Sequence, residues 1–378
     1  MNSNPKTTDF NETGKTAETR EKLFYEPGYI PYEHSRKAPN VPKPIPKTYS
    51  PRPRAKLTQP NSSSKASVKP SPETAEVDLN NPASIYKYLL KNVYKQEEYC
   101  KDAAMLLYNH LRGITSRAFV CGPSGSGKTY VMECLKKLWP RIVVVNAAKL
   151  SKEGWSGGNK VTDFLQRVDA ENQDYIIVFD EFDKCAKPQH SSGGDNVSST
   201  IQSEFLKLVE GEIVRIKQDK TEQVFDTSKM SFVFCGSFAE KAKEIAEKES
   251  ERSFGFTSSA AKHVEAFDRK LNLDDLIDFG VIPELVSRST MISNVRPLTK
   301  EDYEYLISDH PGSPIKQLSE TYGIELKVSK KKCKEIAEEA FRSGLGVRNA
   351  TSQIRRMIDE NVFASFEQSG DLPEVLEL

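Results

Sequence analysis

The sequence predicts an α/β fold: a parallel sheet flanked by helices, a smaller, mainly helical C-terminal α+β region, and a disordered N-terminal tail. Three observations support this. Segments 118–120 and 175–179 are short, continuous apolar runs, which are typical of parallel strands buried on both faces. Apolar residues at helical spacing precede and follow these runs. The first 80 residues hold 12 of the 21 prolines and show neither a helical nor a strand period.

Residues 1–80 are expected to form a disordered, Pro-rich tail. Within them, residues 31–70 carry nine Lys and Arg side chains and a single acid, Glu33. This basic segment is either a solubilising tether or an arm that binds an acidic partner or nucleic acid. The whole chain has 54 basic and 54 acidic side chains, so zero net charge gives it no overall attraction to nucleic acid or to a membrane surface.

The chain is expected to be cytoplasmic, with no membrane association. No apolar segment is long enough to span a membrane, and the N-terminus lacks the apolar core of a signal peptide. Acidic residues near the N-terminus disfavour an organelle transit peptide. The six cysteines form no C-x-x-C pair, and they are predicted to be reduced and buried.

A large domain is predicted over residues 81–295. Asn81 followed by Pro82 indicates the start of a helix, and a second helix is expected at about 97–111. The strand at 118–120 runs directly into a glycine-rich loop that precedes a helix. The loop consists of Gly122, Pro123, Ser124, Gly125, Ser126, Gly127, Lys128 and Thr129.

This loop has the G-x-x-x-x-G-K-[ST] pattern of a phosphate-binding loop, between the strand and the helix that the motif requires. Its glycines let several peptide N–H groups and a helix N-terminus point at phosphate oxygens. Lys128 is expected to reach the β- and γ-phosphates, and Thr129 to supply a hydroxyl for Mg²⁺. ATP and Mg²⁺ are therefore the expected cofactors.

The buried strand at 175–179 ends in two adjacent acids, Asp180 and Glu181. Acids at the carboxyl end of a central parallel strand lie in the crevice where ligands bind. Asp180 is expected to hold the Mg²⁺ shell, and Glu181 to polarise the attacking water. The pair favours ATP hydrolysis over transfer of phosphate to a small acceptor.

Four further segments resemble the ClpX family of AAA+ protein unfoldases, with HslU as the next nearest family, over about residues 81–378. The segments are DEFDK at 180–184, FLKLVEG at 205–211, DTSK at 226–229 and DFGVIPE at 278–284. The resemblance implies an AAA+ P-loop NTPase domain with a small lid domain at 296–378, working as a homohexamer. The N-terminal zinc-binding domain of that family is missing from the sequence.

The resemblance also implies roles for single residues. Val93 and Tyr94 match the adenine-binding element, although Lys95 stands where the family has Gly. Arg288 matches the arginine that reaches the neighbouring subunit's γ-phosphate, and Arg348 the second sensor arginine of the lid. The first sensor follows the strand at 231–234, where Ser237 or Cys235 could approach the γ-phosphate.

Substrate handling is expected to rest on loops. Gly154, Trp155, Ser156 and Gly157 match the Gly-aromatic-x-Gly pore loop that grips polypeptide, and a helix is predicted to start near Val161. Trp155 could instead fold back over its own domain. The basic pore-entrance loop of the family is replaced by a short segment of mixed charge at 216–224.

Phe254, Gly255 and Phe256 lie where the family carries a tripeptide that docks on the ClpP peptidase. The alternative is that this apolar tripeptide packs on its own domain. The sequence itself has no peptidase signature, so any proteolysis would require a ClpP-type partner.

In the lid, Thr299 and Ser329 are predicted helix N-caps, and Gly344 is expected to end the helix that contains Phe341. The final helix, about 348–366, is predicted to bring its apolar side chains to one face. Those side chains are Ile354, Met357, Ile358 and Phe363.

The sequence therefore predicts a ring-forming, ATP-dependent unfoldase that pulls protein substrates through a central pore. The alternatives are a non-proteolytic remodeller or nucleic-acid-associated ATPase that the basic tail targets, and a monomeric P-loop kinase.

Overall fold

A computed structural model describes residues 77–151, 159–189, 196–218, 221–253, 265–368 and 371–378. Its centre is a five-stranded, entirely parallel sheet in the order β2-β5-β8-β1-β9. The predicted α/β class is thereby confirmed. The strands are β1 (Arg117–Cys121), β2 (Ile142–Asn146), β5 (Ile176–Asp180), β8 (Ser231–Gly236) and β9 (Met291–Asn294).

Helices cover both faces of this sheet. They are α1 (Pro82–Asn92), α2 (Glu97–His110), α3 (Lys128–Leu138), α4 (Phe182–Ala186), α5 (Val197–Glu210), α6 (Ala239–Ser253), α7 (Leu273–Phe279) and α8 (Pro283–Ser287). Short 3-10 helices occur at Ala147–Lys149, Val161–Arg167 and Thr227–Lys229. Two small strand pairs complete this part: β3 (Leu150–Ser151) with β4 (Asn159–Lys160), and β6 (Ile213–Gln218) with β7 (Thr221–Asp226).

The two faces of the sheet contribute to different cores, because successive side chains of a strand point to opposite faces. In β1, Phe119 and Cys121 belong to one core, and Ala118 and Val120 to the other. The first core contains a cluster of phenylalanine rings whose neighbouring centroids lie 4.7–6.0 Å apart. The cluster consists of Phe119, Phe179, Phe182, Phe205 and Phe234. These interlocked cores hold the carboxyl ends of β1, β5 and β8 rigidly side by side.

The C-terminal part has its own apolar core, formed by side chains such as Ile307, Ile336, Ile354 and Ile358. Its elements are α9 (Lys300–Ser308), α10 (Pro314–Tyr322), β10 (Glu325–Lys327), α11 (Lys330–Ser343), α12 (Val347–Gln368) and β11 (Val375–Glu377). The mainly helical α+β prediction for this part is confirmed. Thr299 and Ser329 accept N-cap hydrogen bonds, and Gly344 caps α11 in the left-handed conformation, as expected.

A helix starts at Val161 as predicted, and it is a 3-10 helix (Val161–Arg167). Residues 216–218 and 221–224 lie in the β6–β7 hairpin. One local prediction was wrong. Phe363, predicted to share a face of α12 with Ile354, is 66% exposed. It follows Ile354 by nine residues, which at about 3.6 residues per turn places it on roughly the opposite side of the helix. The preceding residue, Val362, packs against the core instead. Phe341 is 49% exposed as well.

All six cysteines are buried and none forms a disulfide, in agreement with the prediction. Among the described residues, no helix has both the length and the apolarity to cross a membrane.

Candidate nucleotide-binding site

The parallel sheet brings the predicted phosphate loop, the acidic pair and the first-sensor segment to one edge. Cys121 at the end of β1 pairs with Gly236 at the end of β8, and Phe179 of β5 pairs with Phe234. The residues that follow these three strands therefore face a common cleft. The cleft encloses about 570 Å³ between this edge and the C-terminal part, which is ample for a nucleotide.

The phosphate loop has the backbone geometry that its glycines predict. Gly127 adopts the left-handed conformation (φ 95°) as the N-cap of α3, so the first turn of the helix starts at Lys128. Gly125 (φ 76°) lies against the C-terminal part: a Cβ there would be 2.8 Å from Cα of Gly346. Only glycine permits this close approach.

Lys128 is buried, and its Nζ donates hydrogen bonds to the carbonyl oxygens of Gly122 (2.7 Å) and Pro123 (2.8 Å). An ammonium group has three N–H donors, so one remains for a phosphate oxygen. Burial lowers the pKa of Lys128, while Cys235 and Asp180 partly oppose that effect. The amine is held on the concave side of the loop, where a phosphate would bind.

Thr129 and Asp180 are in direct contact, because the Thr129 hydroxyl donates to Oδ2 of Asp180 at 2.7 Å. A hydroxyl beside a carboxylate fits Mg²⁺, which takes one or two protein oxygens and completes its shell with water and phosphate. Among the described residues, no group of three or more His, Cys, Asp and Glu could hold a metal by itself. A cation here would therefore depend on the nucleotide for its remaining ligands.

Glu181 lines the same cleft and adopts an unusual backbone conformation. Its φ of 57° places a non-glycine residue in the left-handed region, which costs about 1–3 kcal/mol and is concentrated at functional sites. Its N–H donates to Oδ1 of Asp180 at 3.0 Å. The strained turn separates the two carboxylates, so that Asp180 faces Thr129 and Glu181 remains free of that contact.

The structure distinguishes the two candidates for the first sensor. Cys235 is fully buried inside the sheet and belongs to the core on one face. Ser237 lines the cleft, and its hydroxyl donates to Oδ2 of Asp183 at 2.9 Å. Asp183, the last acid of the DEFD segment, has no motif that marks it as a cleft residue in the sequence. Asp183 is buried and also lines the cleft.

The predicted adenine-binding element lies at the other end of the cleft. Val93 and Tyr94 line it, and the Tyr94 ring packs against Tyr305 (4.6 Å between centroids) and His310 (6.4 Å) of the C-terminal part. Lys95 keeps a positive φ of 56°, the conformation that the family's glycine would favour. Its Nζ forms an ion pair with Asp302 at 2.5 Å, so the substitution adds a charged link to α9.

Two further residues of the cleft were missed by sequence reasoning. Gln96 is buried and joins the two parts of the chain, because its amide donates to the carbonyl oxygen of Arg296 (3.0 Å) and accepts from the Arg296 N–H (3.0 Å). His310 lines the base end, and its Nδ1 accepts from the Gly312 N–H at 3.1 Å. A neutral imidazole in that state carries its proton on Nε2, so His310 is a potential donor.

The two predicted arginines lie in different places. Arg348 lines the cleft from the first turn of α12. Arg288, which follows α8, is not a cleft residue; its side chain is 56% exposed and pairs with Glu210 at 2.8 Å. The structure thus groups the loop residues from Ser124 to Thr129, Asp180, Glu181, Ser237 and Arg348 in one cleft and leaves Arg288 outside it.

Several predicted sites lie outside the described residues. They are the pore loop Gly154, Trp155, Ser156 and Gly157, the docking tripeptide Phe254, Gly255 and Phe256, and the tail up to residue 76.

Comparison with known proteins agrees with this geometry. Residues 118–248 match the family model "ATPase family associated with various cellular activities (AAA)". The chain is 28% identical over 336 residues to the ClpX ATP-binding subunit of the Clp protease from Borrelia duttonii, which covers 79% of this chain and 77% of that protein. The corresponding subunit from Treponema denticola is 26% identical over 328 residues, with 75% and 77% covered.

A relative from Saccharomyces cerevisiae carries the name "ATP-dependent clpX-like chaperone, mitochondrial". It is 30% identical over 304 residues, which cover 64% of this chain and 58% of that protein. The family match at 118–248 includes the phosphate loop, the acidic pair and four of the five strands of the central sheet. The chain therefore contains an AAA ATPase domain and is similar over most of its length to ClpX ATP-binding subunits.

Proposed function

We propose that this chain works as a homohexameric ring and uses ATP hydrolysis to pull protein substrates through a central pore. One observation carries the proposal. Lys128, Asp180, Glu181 and Arg348 share a single cleft, whereas Arg288 lies outside it on the surface. Arg288 matches the arginine that reaches a neighbouring γ-phosphate in the ClpX family, and its position outside its own cleft supports such a role between subunits.

Within the cleft, different residues bind the phosphates, the Mg²⁺ ion and the base. Peptide N–H groups of the phosphate loop and Nζ of Lys128 bind phosphate oxygens. Thr129 and Asp180 would hold Mg²⁺, which when bound supplies charge neutralisation at the β- and γ-phosphates. Val93 and Tyr94 bind the base beside Tyr305 and His310 of the lid.

Hydrolysis requires a water molecule aimed at the γ-phosphate. Glu181, turned away from Asp180 by its left-handed backbone, accepts a proton from that water. The Ser237 hydroxyl and the Arg348 guanidinium report whether the γ-phosphate is present in the same subunit. Arg348 lies two residues after Gly346, which is packed against the phosphate loop, so a shift of the loop is passed to the lid.

The substrate-handling part of the proposal rests on the sequence. Trp155, between Gly154 and Gly157, is the pore-loop aromatic that presses on an extended polypeptide. Phe254, Gly255 and Phe256 form the docking element for a ClpP-type peptidase. The names of the Borrelia and Treponema relatives describe subunits of such a protease, which supports this partnership.

A second candidate function is remodelling of proteins without degradation. The Saccharomyces relative is named a chaperone rather than a protease subunit, which favours this alternative. The basic segment at 31–70 would then select an acidic or nucleic-acid-associated target. Deleting residues 1–75 separates the two, since loss of DNA or RNA binding with retained ATPase activity supports the second.

The direct test of the proposed chemistry is Glu181→Gln. We expect ATP binding to be unchanged and the hydrolysis rate to fall by about a hundredfold or more, because the amide cannot accept the proton. Binding is measured with a fluorescent ATP analogue and turnover by phosphate release. Glu133→Gln is the matched control, because Glu133 lines the same cleft from α3. Unchanged hydrolysis in Glu181→Gln contradicts the assignment.

A further inference from the structure

A group of charged side chains surrounds the amino-terminal end of β1, whereas the nucleotide cleft lies at the carboxyl ends of the strands. The group consists of Arg117, Glu210 and Arg288, with the carbonyl oxygen of Val209 between them. Arg117 belongs to none of the motifs that predicted the nucleotide site. Its contacts nevertheless reach both segments that position Arg288.

The Arg117 side chain holds the end of α5. Its Nε and Nη2 both donate to the carbonyl oxygen of Val209, at 3.0 and 2.7 Å. Val209 lies in the last turn of a helix that ends at Glu210, where carbonyl groups lack a helical partner. A guanidinium at this position satisfies that carbonyl and interacts favourably with the helix dipole.

The Arg117 backbone holds the segment that follows Arg288. The Arg117 carbonyl oxygen accepts from the N–H of Thr290 at 2.8 Å, and the Arg117 N–H donates to the Thr290 hydroxyl oxygen at 3.0 Å. One residue therefore fixes both the end of α5, which carries Glu210, and the chain two residues after Arg288.

A second set of hydrogen bonds links α5 to the segment before α8. Gln202 of α5 is buried, and its side chain donates to the carbonyl oxygen of Gly280 (2.9 Å) and accepts from the N–H of Ile282 (2.9 Å). Ile282 immediately precedes α8, and Arg288 immediately follows it. Helix α5 is thus tied to the chain before α8 through Gln202 and to the chain after α8 through Arg117, with Glu210 and Arg288 paired between them.

The ion pair between Arg288 and Glu210 is weak enough for Arg288 to exchange Glu210 for another anionic partner. Nη2 of Arg288 lies 2.8 Å from Oε1 of Glu210, and both side chains are about half exposed. Water screens such a pair, so it directs the guanidinium without binding it tightly. Arg117 is close enough to Arg288 that burial and this second positive charge together lower the pKa of Arg117. The repulsion disfavours folding of Arg288 back onto the sheet.

We propose that Arg117 and Glu210 are positioning residues that orient Arg288 toward the nucleotide of the neighbouring subunit. Glu210 holds the guanidinium until the more highly charged γ-phosphate replaces it, and Arg117 fixes the two helices from which both side chains extend. This inference rests on the proposed function, since it requires Arg288 to act between subunits.

The test compares Arg117→Gln and Glu210→Gln with Arg288→Ala, alone and combined. We expect each positioning variant to lower kcat about tenfold, because a misplaced catalytic group costs rate. The affinity for a fluorescent ATP analogue and KM should stay within about twofold, because neither residue contacts the cleft. Adding either substitution to Arg288→Ala should cause no further loss of kcat, since both act through Arg288.

Arg141→Gln is the matched control. Arg141 precedes β2 at the opposite edge of the sheet, where it pairs with Asp174, and its loss should leave kcat unchanged. Thermal unfolding of every variant identifies any general loss of structure. If Arg117→Gln does not fold, Glu210→Gln still tests the inference, because Glu210 is exposed.

Three outcomes are distinguishable. If Arg288→Ala lowers kcat strongly but leaves a measurable residual rate, while both positioning variants keep the parent kcat, the inference is overturned and the proposed function stands. If the positioning substitutions lower kcat equally in the Arg288→Ala background, they act independently of Arg288 and the inference is again overturned. If Arg288→Ala itself keeps the parent kcat, the shared-site proposal fails.

Discussion

Gly346 offers a sharp test of how the lid communicates with the phosphate loop. It has a φ of 71°, and a Cβ there would lie 2.7 Å from Cα and 3.0 Å from the carbonyl oxygen of Gly125. Both atoms belong to the backbone of the phosphate loop, so no flexible side chain can move aside. Gly346→Ala must therefore separate the two segments.

Gly344 provides the comparison for this substitution. It has nearly the same backbone conformation, φ 66°, but a Cβ there meets no atom within 4 Å. Alanine at either position carries a left-handed backbone cost of about 1–2 kcal/mol. Only Gly346→Ala adds a displacement, which is about 0.7 Å if the 2.7 Å contact relaxes to an ordinary 3.4 Å.

Arg348 follows Gly346 by two residues and lines the cleft, so it would move by a similar distance. Since misplacement by about 1 Å can cost a hundredfold in rate, we expect kcat to fall about tenfold to a hundredfold in Gly346→Ala. Gly344→Ala should lose stability to a similar degree but keep its kcat. Steady-state ATPase assays give kcat for both variants, and thermal unfolding gives their stability. Equal kcat values in the two variants would contradict coupling between Gly346 and the phosphate loop.

Two further predictions concern other parts of the chain. Burial lowers the pKa of His110 below its ordinary 6.5, and its Nδ1 lies 2.9 Å from the Ser231 hydroxyl. As the pH falls, the imidazole of His110 therefore takes up a proton in the unfolded chain before it does so in the folded chain. The free energy of unfolding is highest above pH 6.5 and decreases as the pH falls toward the lowered pKa. Urea unfolding between pH 8 and 5 should show a steeper decrease for the parent than for His110→Gln. Trp155→Ala should bind ATP like the parent but unfold a tagged substrate at a rate lower by about tenfold or more, and equal unfolding rates would exclude Trp155 as the pore-loop aromatic.

The sequence was sufficient where function depends on a local backbone pattern. The phosphate loop and the pair Asp180–Glu181 each follow a buried strand directly, so the parallel sheet alone brings them together. The choice between Cys235 and Ser237 could not be made in the same way. Every residue of β8 is buried, so its pattern does not reveal which residue leaves the sheet toward the cleft.

Contacts between segments that are distant in the chain could not be predicted from the sequence. Asp183 and Ser237 are 54 residues apart, and Arg117 and Val209 are 92 apart. The Lys95 side chain itself gives no indication of a left-handed backbone, and the glycine that the ClpX family carries at this position was the only indication of it. Phe363 was misplaced because it is roughly half a turn out of phase with Ile354 at about 3.6 residues per turn, so that Val362 rather than Phe363 packs against the core.

Mixing two inactive variants tests the central claim, a hydrolytic site shared between subunits, most directly. Glu181→Gln chains lack the proton acceptor but retain Arg288, whereas Arg288→Ala chains retain Glu181 and lack the arginine. In randomly mixed rings, roughly a quarter of the interfaces combine an intact Glu181 with an intact Arg288 from the neighbour. We expect ATPase activity to reappear on mixing. A mixture as inactive as its two components would contradict it.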